Sequence, residues 1–220
     1  MPETTQQAIT RAFLASLQHS GKHTHPYDHW LLDHCLTEDM VDEIIALPIA
    51  PAAVDDTKGR RETNNDTRVH FGARYRSQHK VMDTLARVFQ TEPVVGALKA
   101  STGAPIAGTS LRIEYCQDTD GFWLEPHTDI GVKKFTMLIY LNREPEGADW
   151  GTDIYADSVT HFGRAPAGFN SGLIFIPNDN TWHGFDKRPL NGVRKSLIIN
   201  YVGPEWRNRQ ELCFPDDPIR

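Results

Sequence analysis

The sequence is poor in cysteine and in clustered positive charge, two features that would otherwise suggest a secreted or a nucleic-acid-binding protein. Its 220 residues include three cysteines, Cys35, Cys116 and Cys213, which are widely spaced and odd in number. No disulfide framework is therefore expected. The 23 lysines and arginines are scattered among 29 acidic residues, which gives a formal charge of −6. A nucleic-acid partner is not expected, because binding a polyanion needs a concentrated basic surface.

Long hydrophobic runs are also missing. The longest, residues 137–141 and 173–176, fall far short of the roughly 20 residues that a membrane span needs. Residues 1–5 have neither the basic nor the apolar region of a secretory signal. We therefore expect a cytoplasmic protein with reduced thiols and no membrane partner. The sequence does not indicate an oligomeric state.

The first half of the chain predicts helices around a few strands. Apolar residues at helical spacing indicate a helix over residues 5–19. Thr37 is a suitable N-cap for a second helix that ends near Leu47, before a proline. Residues 77–101 predict one or two further helices. Two short strands are expected at residues 27–32 and 67–71.

From Thr109 onward the sequence is typical of a β-protein. Short segments rich in β-branched and aromatic residues alternate with turn-forming residues. We predict strands near residues 109–117, 122–128, 133–142, 152–156, 159–165, 172–177, 181–186 and 193–202. Eight short strands after a helical first half favour a two-sheet sandwich or jelly roll buttressed by helices. We expect one domain over residues 1–220, with helical support and a substrate side in 1–108 and the β-core in 109–203.

His127 and Asp129 form the most informative motif. Alternate side chains of a strand face the same side, so these two project together while Thr128 points away. His183, on a later predicted strand, can supply a third ligand. Two histidines and one carboxylate on one face of a metal leave three positions open, the arrangement of non-haem iron(II) oxygenases. Either part alone is common by chance, so the prediction depends on the combination.

Arg194 begins an apolar predicted strand, and Ser196 shares its face two residues later. A guanidinium pairs with a carboxylate through two hydrogen bonds, and a hydroxyl beside it adds a third. A buried arginine in so apolar a strand needs a partner. That partner is either an anionic ligand or an internal Asp or Glu, and the sequence leaves both open.

The order of these residues resembles a known family. His127-Thr-Asp129, then His183, then Arg194-Lys-Ser196 is similar to the iron(II)/2-oxoglutarate-dependent oxygenase superfamily, and in particular to its prolyl-4-hydroxylase-like branch. The resemblance is clear from residue 109 to about 201 and weaker before. It implies a double-stranded β-helix with a cupin-like core, iron(II) on the two histidines and Asp129, and 2-oxoglutarate whose distal carboxylate meets Arg194 and Ser196.

Further matches of this resemblance are Tyr140-Leu-Asn142, Tyr115 on the strand before the metal motif, and an opening strand and helix that begin at Tyr27 and Thr37. The resemblance implies that Tyr140 and Tyr115 hydrogen-bond to the cosubstrate. Each is alternatively a core tyrosine with a satisfied hydroxyl. The family's Gly-Gly turn appears here only as Asp149-Trp-Gly151, and Tyr115 lies farther from the metal motif than usual.

The resemblance also implies the reaction. Dioxygen is the second cosubstrate, ascorbate is a supporting reductant, and succinate and carbon dioxide are products. Halogenating relatives replace the metal-binding carboxylate with a small residue. Because Asp129 is retained, hydroxylation, or a related desaturation, is expected instead.

Four functions compete for this sequence. The leading hypothesis is hydroxylation of an unactivated C–H bond in a small metabolite, such as an amino acid or a biosynthetic intermediate. The alternative is a protein or peptidyl (prolyl-type) hydroxylase. A cupin-like binding module without turnover is less favoured, and nucleic-acid demethylation least. An open groove beside the metal favours the peptide, whereas a closed pocket under the predicted loop 48–66, a candidate lid, favours the metabolite.

Other residues invite a functional interpretation. Arg68 and His70 are candidates for anchoring an acidic substrate. Aromatic residues near the metal motif either line a substrate cavity or pack the core, namely Trp123, Trp182 and Phe185. Five histidines between residues 19 and 34 match no closed zinc pattern, so a solvated loop is expected there.

Overall fold

Five helices precede the main strands. The computed structural model describes residues 3–54, 56–60 and 67–220. The helices are α1 (Thr5–Gln18), α2 (Glu38–Ile45), α3 (Ala73–Gln78), α4 (Lys80–Gln90) and α5 (Glu92–Thr102). Helix α1 begins at a capping box, in which Thr4 Oγ1 accepts the Gln7 N–H at 3.3 Å and Gln7 Oε1 accepts the Thr4 N–H at 2.9 Å.

The helical region predicted over residues 77–101 is divided at two extended residues. His79, with φ −128° and ψ 104°, separates α3 from α4. Thr91, with ψ 146°, separates α4 from α5, and the proline that follows can only occupy the first turn of a new helix. The two helices that the prediction allowed are α4 and α5, whereas α3 lies mostly before residue 77 and was not predicted.

Eleven strands form two antiparallel sheets in the described chain. They are β1 (Gly21–His23), β2 (His29–Leu32), β3 (Arg68–His70), β4 (Ser110–Asp118), β5 (Leu124–His127), β6 (Lys133–Tyr140), β7 (Asp153–Tyr155), β8 (His161–Arg164), β9 (Gly172–Phe175), β10 (His183–Phe185) and β11 (Arg194–Val202). The major sheet has the order β1-β2-β9-β6-β11-β4-β3, and the minor sheet β5-β10-β7-β8. All eight strands predicted after Thr109 are confirmed. Strand β1 was not predicted, because it is short, polar and exposed at the sheet edge.

The two faces of the major sheet pack against different parts of the protein, one against the helices and the other against the minor sheet. Leu197 and Ile199 of β11 point to the helices and pack in one cluster with Phe13 and Phe89. Ile198, between them, points the other way and packs with residues of the minor sheet such as Ile154. This alternation follows from the two-residue period of a strand. The space between the two sheets is therefore lined by the residues of β11 that share a face with Ile198, which include Arg194 and Ser196.

The chain after β11 returns to the major sheet. Cys213 N–H donates to Leu111 O at 2.9 Å, and Ile219 N–H donates to Thr109 O at 2.8 Å. Both side chains are buried, so this segment closes the end of the core near β4. Among the described residues, no helix combines the length and the apolar character needed to cross a bilayer.

Candidate metal and cosubstrate site

Three side chains converge between the sheets. Strands β5 and β10 pair so that His127 lies opposite His183, and their ring centroids are 4.4 Å apart. Asp129 joins them, and one potential ligand atom from each of the three lies within 4.8 Å of the other two. Asp129 lies two residues beyond the end of β5, not on the strand as predicted. The turn into β6 brings its carboxylate to the same place.

Both histidines are oriented by backbone carbonyls. His127 Nδ1 lies 2.9 Å from Glu125 O, and His183 Nδ1 lies 2.9 Å from Thr181 O. A carbonyl oxygen only accepts, so each Nδ1 carries the proton and each Nε2 carries the lone pair that a metal needs. Burial lowers the pKa of His183 to about 4, although the Asp129 carboxylate acts in the opposite direction. His183 is therefore neutral near pH 7, as ligation requires.

The Asp129 carboxylate is held through both oxygens. Lys133 Nζ lies 2.5 Å from Oδ1, and Thr136 Oγ1 donates to Oδ2 at 2.9 Å. The side chains of Lys133 and Asp129 are 6% and 4% exposed. A buried ammonium thus compensates the buried carboxylate and fixes its direction. The acid is oriented before any metal arrives.

A cavity between the two sheets reaches these three side chains. It has three charged residues besides Asp129, namely Arg68, Asp118 and Arg194. Its remaining walls are mainly apolar or hydroxylic: Phe122, Leu124, Thr136, Leu138, Thr152, Gly184, Phe185 and Ile198. Apolar walls with a few polar groups are typical of a small-molecule site.

Arg194 has internal partners, and these leave part of its guanidinium unused. Its Nε–H donates to Trp150 O at 2.7 Å, and Nη1 donates to Asp118 Oδ2 at 2.6 Å. A guanidinium has five N–H donors, so these two contacts leave three without a partner among the described residues. Ser196, on the same face, has a fully buried hydroxyl oxygen without a hydrogen-bond partner among the described residues. Arg194 therefore has an internal acidic partner, Asp118, which is one of the two alternatives that the sequence left open. Its remaining N–H donors are suited to a carboxylate ligand.

Tyr140 lies next to Arg194 but has its own partners. Its ring centroid is 5.8 Å from the Arg194 guanidinium carbon. Its hydroxyl donates to Thr152 Oγ1 at 2.9 Å and accepts the Thr152 N–H at 3.1 Å. Tyr140 is thus hydrogen-bonded within the protein, as the core-tyrosine alternative expected. It supports the cavity through Thr152, which lines it.

Comparison with known proteins identifies the fold. No protein-family profile matches this sequence, and no curated protein matches it. Solved structures do match. A prolyl 4-hydroxylase from Phytophthora capsici aligns with a TM-score of 0.58 and 15% identity, over 92% of this chain and 67% of its own. The chain has the prolyl-4-hydroxylase-like fold. The double-stranded β-helix predicted from the sequence is confirmed.

Two further solved structures with this fold are enzymes with different named activities. The Pseudomonas putida prolyl-4-hydroxylase aligns with a TM-score of 0.54 and 15% identity, over 89% of this chain and 94% of its own. The non-haem alpha-ketoglutarate-dependent carbocyclase SnoK from nogalamycin biosynthesis aligns with a TM-score of 0.52 and 12% identity, over 93% of this chain and 88% of its own. At this identity the likeness concerns the fold, and the chemistry has to be argued from this chain's own residues.

Tyr115 does not face the site of this prolyl-4-hydroxylase-like fold, which corrects the expectation that it binds the cosubstrate. It pairs with Leu197 on one side and Val69 on the other, and all three belong to or pack against the helix-side cluster. The residues of β4 that share a face with Ser196 and Arg194 are Cys116 and Asp118. Strand alternation therefore places Tyr115 on the opposite face.

Arg68 enters the cavity, whereas its neighbour His70 does not line it. Arg68 Nη1 contacts Glu114 Oε2 at 3.1 Å and Cys116 Sγ at 3.3 Å. His70 Nε2 instead lies 2.8 Å from Arg112 Nη2. Of the two candidates for binding an acidic group, the structure brings only Arg68 to the metal side.

Asp118, Lys133 and Thr136 were missed as site residues. Asp118 precedes Thr119 and Asp120 in a stretch that is typical of a turn. Nothing in the sequence marks it as a site residue; the structure does, by placing it directly opposite Arg194 across β4 and β11. Of the three aromatic candidates, Phe185 lines the cavity and Trp123 and Trp182 do not.

A second group of potential ligands is better explained as a structural network. Asp153, His161 and Asp186 also bring ligand atoms within 4.8 Å of one another. However, the buried Asp153 carboxylate already accepts from Arg188 Nη1 at 2.6 Å and Arg164 Nε at 2.9 Å. Two guanidinium groups on one carboxylate repel a metal cation. Among the described residues, the histidines between 19 and 34 form no metal group.

Proposed function

We propose that this protein is an iron(II)- and 2-oxoglutarate-dependent oxygenase that hydroxylates an unactivated C–H bond of a small molecule. The convergence of His127, Asp129 and His183 carries the proposal. Two neutral imidazoles and one carboxylate, arranged around one point, make a facial ligand set that leaves positions for a cosubstrate and dioxygen. The metal would be held by the two Nε2 atoms and an Asp129 oxygen.

The residues present fit 2-oxoglutarate as well as iron. Its distal carboxylate needs donors at the far end of the cavity, and Arg194 has three N–H groups beyond its two internal contacts. The Ser196 hydroxyl, which is buried on the same face of β11 and has no partner among the described residues, is the proposed further donor. Iron(II) with bound 2-oxoglutarate would supply the oxidation of the substrate by dioxygen, with release of succinate and carbon dioxide. Ascorbate would keep the iron reduced.

The protein's own contribution is binding, orientation and exclusion of water. Lys133 and Thr136 hold the Asp129 carboxylate in one direction. Phe122, Leu124 and Phe185 give the cavity apolar walls, which strengthen the electrostatic contacts inside. The Asp129 carboxylate would occupy the coordination position on iron that a halide needs. This supports hydroxylation over halogenation.

The contacts of the candidate lid support a small substrate. Trp123 N–H donates to Thr57 Oγ1 at 2.9 Å, and Glu125 N–H donates to Gly59 O at 3.0 Å. This part of the predicted loop therefore packs along the strand that carries His127, beside the mouth of the site. Residues 55 and 61–66 of the loop lie outside the described residues. Of the solved structures with this fold, SnoK is an enzyme of nogalamycin biosynthesis.

A prolyl-type peptide hydroxylase is the second candidate. It is favoured by the fold comparison, because one matching structure is a prolyl hydroxylase from Trichoplax adhaerens in complex with a peptide fragment of hypoxia inducible factor. A peptide would have to approach along the outer side of the ligands, where Ile130 is exposed beside Arg60 and Glu125. A cupin-like module without turnover would bind metal and form no succinate.

Succinate formation tests the proposal. The purified protein is supplied with iron(II), 2-oxoglutarate, ascorbate and oxygen, with and without a panel of metabolites and proline-containing peptides. We expect succinate from the wild type and none from His127→Ala or Asp129→Ala, which lose metal in elemental analysis. His19→Ala removes an exposed histidine at the end of α1 that is not one of the three converging side chains, and serves as the matched control. Metal binding without succinate formation under all conditions would contradict the oxygenase.

A further inference from the structure

A row of three polar side chains crosses the major sheet on the side of the metal ligands. Asn200 of β11 pairs in register with Arg112 of β4 on one side and with Thr136 of β6 on the other. Side chains paired directly across antiparallel strands lie on the same face, and Thr136 lines the cavity. All three are buried, and Asn200 is 0% exposed. A buried amide in so apolar a strand calls for an explanation.

The arginine decides how the Asn200 amide is turned. Arg112 Nη1 lies 3.5 Å from Asn200 Oδ1. Because a guanidinium only donates hydrogen bonds, the oxygen of the amide faces Arg112 and the nitrogen faces the other way. There Asn200 Nδ2 donates to Thr136 Oγ1 at 3.1 Å and lies 3.4 Å from Phe135 O. The amide therefore presents a donor, and not an acceptor, to the Thr136 hydroxyl.

The single proton of the Thr136 hydroxyl is directed by this contact. The proton cannot point to Asn200, whose N–H is itself a donor. It points instead to Asp129 Oδ2, which lies 2.9 Å from Thr136 Oγ1. The direction of each hydrogen bond along the row is therefore fixed, from Arg112 through Asn200 and Thr136 to the carboxylate that is a candidate metal ligand.

The far end of the row is anchored in the protein. Arg112 Nε donates to Glu211 Oε2 at 2.7 Å, and Arg112 Nη1 also donates to the buried Glu114 carboxylate. The Trp206 ring lies over the guanidinium, with 4.7 Å between Cζ and the ring centroid. Two acids and an aromatic ring hold the cation in place, so Asn200 has a fixed neighbour against which to orient.

We propose that Asn200 is a positioning residue for Asp129 and acts through the Thr136 hydroxyl. This inference rests on the proposed function, because it concerns a ligand of the same metal. Asp129 lies beyond the end of β5, so strand pairing does not fix its direction and neighbouring side chains must do so. With Thr136 donating to Oδ2, the carboxylate cannot rotate without losing that bond. Groups that hydrogen-bond to a metal ligand orient it before the metal binds.

Cobalt(II) binding tests the proposal without turnover. Asn200→Leu removes the amide and Thr136→Val removes the hydroxyl, each with little change in volume. Losing a group that orients a metal ligand typically costs about 10- to 100-fold in metal affinity, and we expect a loss in this range from each variant. The absorption bands of bound cobalt(II) should change in the same way in both, because both release the same carboxylate. Thr136→Ser keeps the hydroxyl and should retain the wild-type affinity and spectrum.

The double variant Asn200→Leu/Thr136→Val shows whether the amide acts through the hydroxyl. If it does, removing the amide has no further effect once the hydroxyl is gone, and the double variant should bind cobalt(II) within about twofold of Thr136→Val. If Asn200 only supports the fold, its loss should persist in the Thr136→Val background. Circular dichroism checks that each variant is folded, and Asn200→Ala takes the place of Asn200→Leu in the same cycle if the leucine is not accommodated.

Thr109→Val is the matched control, since Thr109 is a buried threonine that donates to Ile106 O at 2.6 Å. It should leave cobalt(II) affinity unchanged. Wild-type affinity in folded Asn200→Leu or Thr136→Val, or a full Asn200→Leu loss in the double variant, would overturn the assignment.

Succinate formation by the wild type is measured separately and distinguishes the two proposals. Coupled losses of cobalt(II) affinity without succinate keep the role of Asn200 and contradict the oxygenase. Succinate formation together with independent losses keeps the oxygenase and rejects the role of Asn200.

Discussion

Arg194 Nη1 lies 2.6 Å from Asp118 Oδ2, and both side chains are buried. The two residues are direct partners across β11 and β4. A buried guanidinium without a counter-charge would cost several kcal/mol, so the acid allows Arg194 to remain inside before any ligand arrives. The pair also fixes which edge of the guanidinium is turned toward the ligand. Asp118 is therefore a positioning residue for Arg194.

Arg194→Ala is predicted to weaken 2-oxoglutarate binding while metal binding persists. Losing one partner of a desolvated charge pair costs about 2–5 kcal/mol, which corresponds to about thirtyfold or more in affinity. Anaerobic titration of the manganese(II)-loaded protein with 2-oxoglutarate measures this change. Manganese affinity should change little, because Arg194 contacts none of the metal ligands.

The same substitution leaves Asp118 as an unpaired buried charge, so the folded state must be checked. The double variant Arg194→Ala/Asp118→Ala removes both charges and should recover most of the lost unfolding free energy. It should not recover affinity for 2-oxoglutarate. A double variant that binds 2-oxoglutarate like the wild type would remove Arg194 from its proposed role.

Lys133→Met is predicted to tighten binding of a divalent metal. The ammonium lies 2.5 Å from Asp129 Oδ1, so it competes with a metal for the same carboxylate. Removing it leaves a buried acid that a cation compensates, and we expect about a tenfold gain in affinity, equivalent to about 1.4 kcal/mol. The metal-free protein should be less stable than the wild type for the same reason. Cobalt(II) titration and thermal unfolding measure the two effects.

Lys134→Met is the matched control, because Lys134 is adjacent in sequence and donates to Gly131 O instead of a metal ligand. It should leave cobalt affinity unchanged. If Lys133→Met weakened cobalt binding instead, the lysine would act by orienting Asp129, and competition for the carboxylate would be rejected.

The residue types were enough to predict that His127, Asp129 and His183 converge and that Arg194 is buried. They did not predict the side toward which every strand residue points. A shift of one residue in strand pairing reverses the face of every side chain. Tyr115 was assigned to the site without knowing that register, and the pairing with Leu197 places it in the helix-side core. Asp129 was predicted for the wrong reason, since it lies beyond β5 and not on it.

Asp118 and Lys133 show a second limit of the sequence. Both are charged residues at strand ends, where solvent exposure is the ordinary expectation. Only the packing of β4 against β11, and of the β5–β6 turn against the ligands, buries them. Their roles depend on residues distant in sequence, and one chain alone gives no sign of these contacts.

Gly184→Ala is predicted to weaken metal binding without touching a ligand. An added Cβ at this position would lie 2.8 Å from Leu124 O and 3.2 Å from Glu125 O. Strand β5, which carries His127, would have to move away from β10, which carries His183. The two histidines would then be farther apart. We expect a loss of about 1–3 kcal/mol in stability and at least a tenfold weaker cobalt(II) affinity. Gly163→Ala, at a strand glycine with no atom within 4 Å of the new Cβ, is the control for both measurements.

Asp153 is predicted to govern the stability of the minor sheet at low pH. Burial would raise the pKa of this carboxyl, but Arg188, the Asp186 N–H and Arg164 outweigh it and hold the pKa below its ordinary value. The unfolded chain, with a pKa near 3.9, then binds the proton more tightly than the folded protein. The stabilisation is complete above about pH 4 and is lost as the pH falls further.

Asp153→Asn tests this directly. At pH 7 the variant leaves two guanidinium groups without their shared acid, and we expect it to lose about 3–5 kcal/mol of unfolding free energy. Protonation of Asp153 in acid removes the stabilisation that its charge gives the wild type. The difference in unfolding free energy between the wild type and the variant should therefore narrow as the pH is lowered from 5 to 3 in urea titrations. Since β7 pairs with β10 at His183, the variant should also bind cobalt(II) more weakly at pH 7. A difference in stability that stays constant down to pH 3 would show that the Asp153 charge is not what holds these strands together.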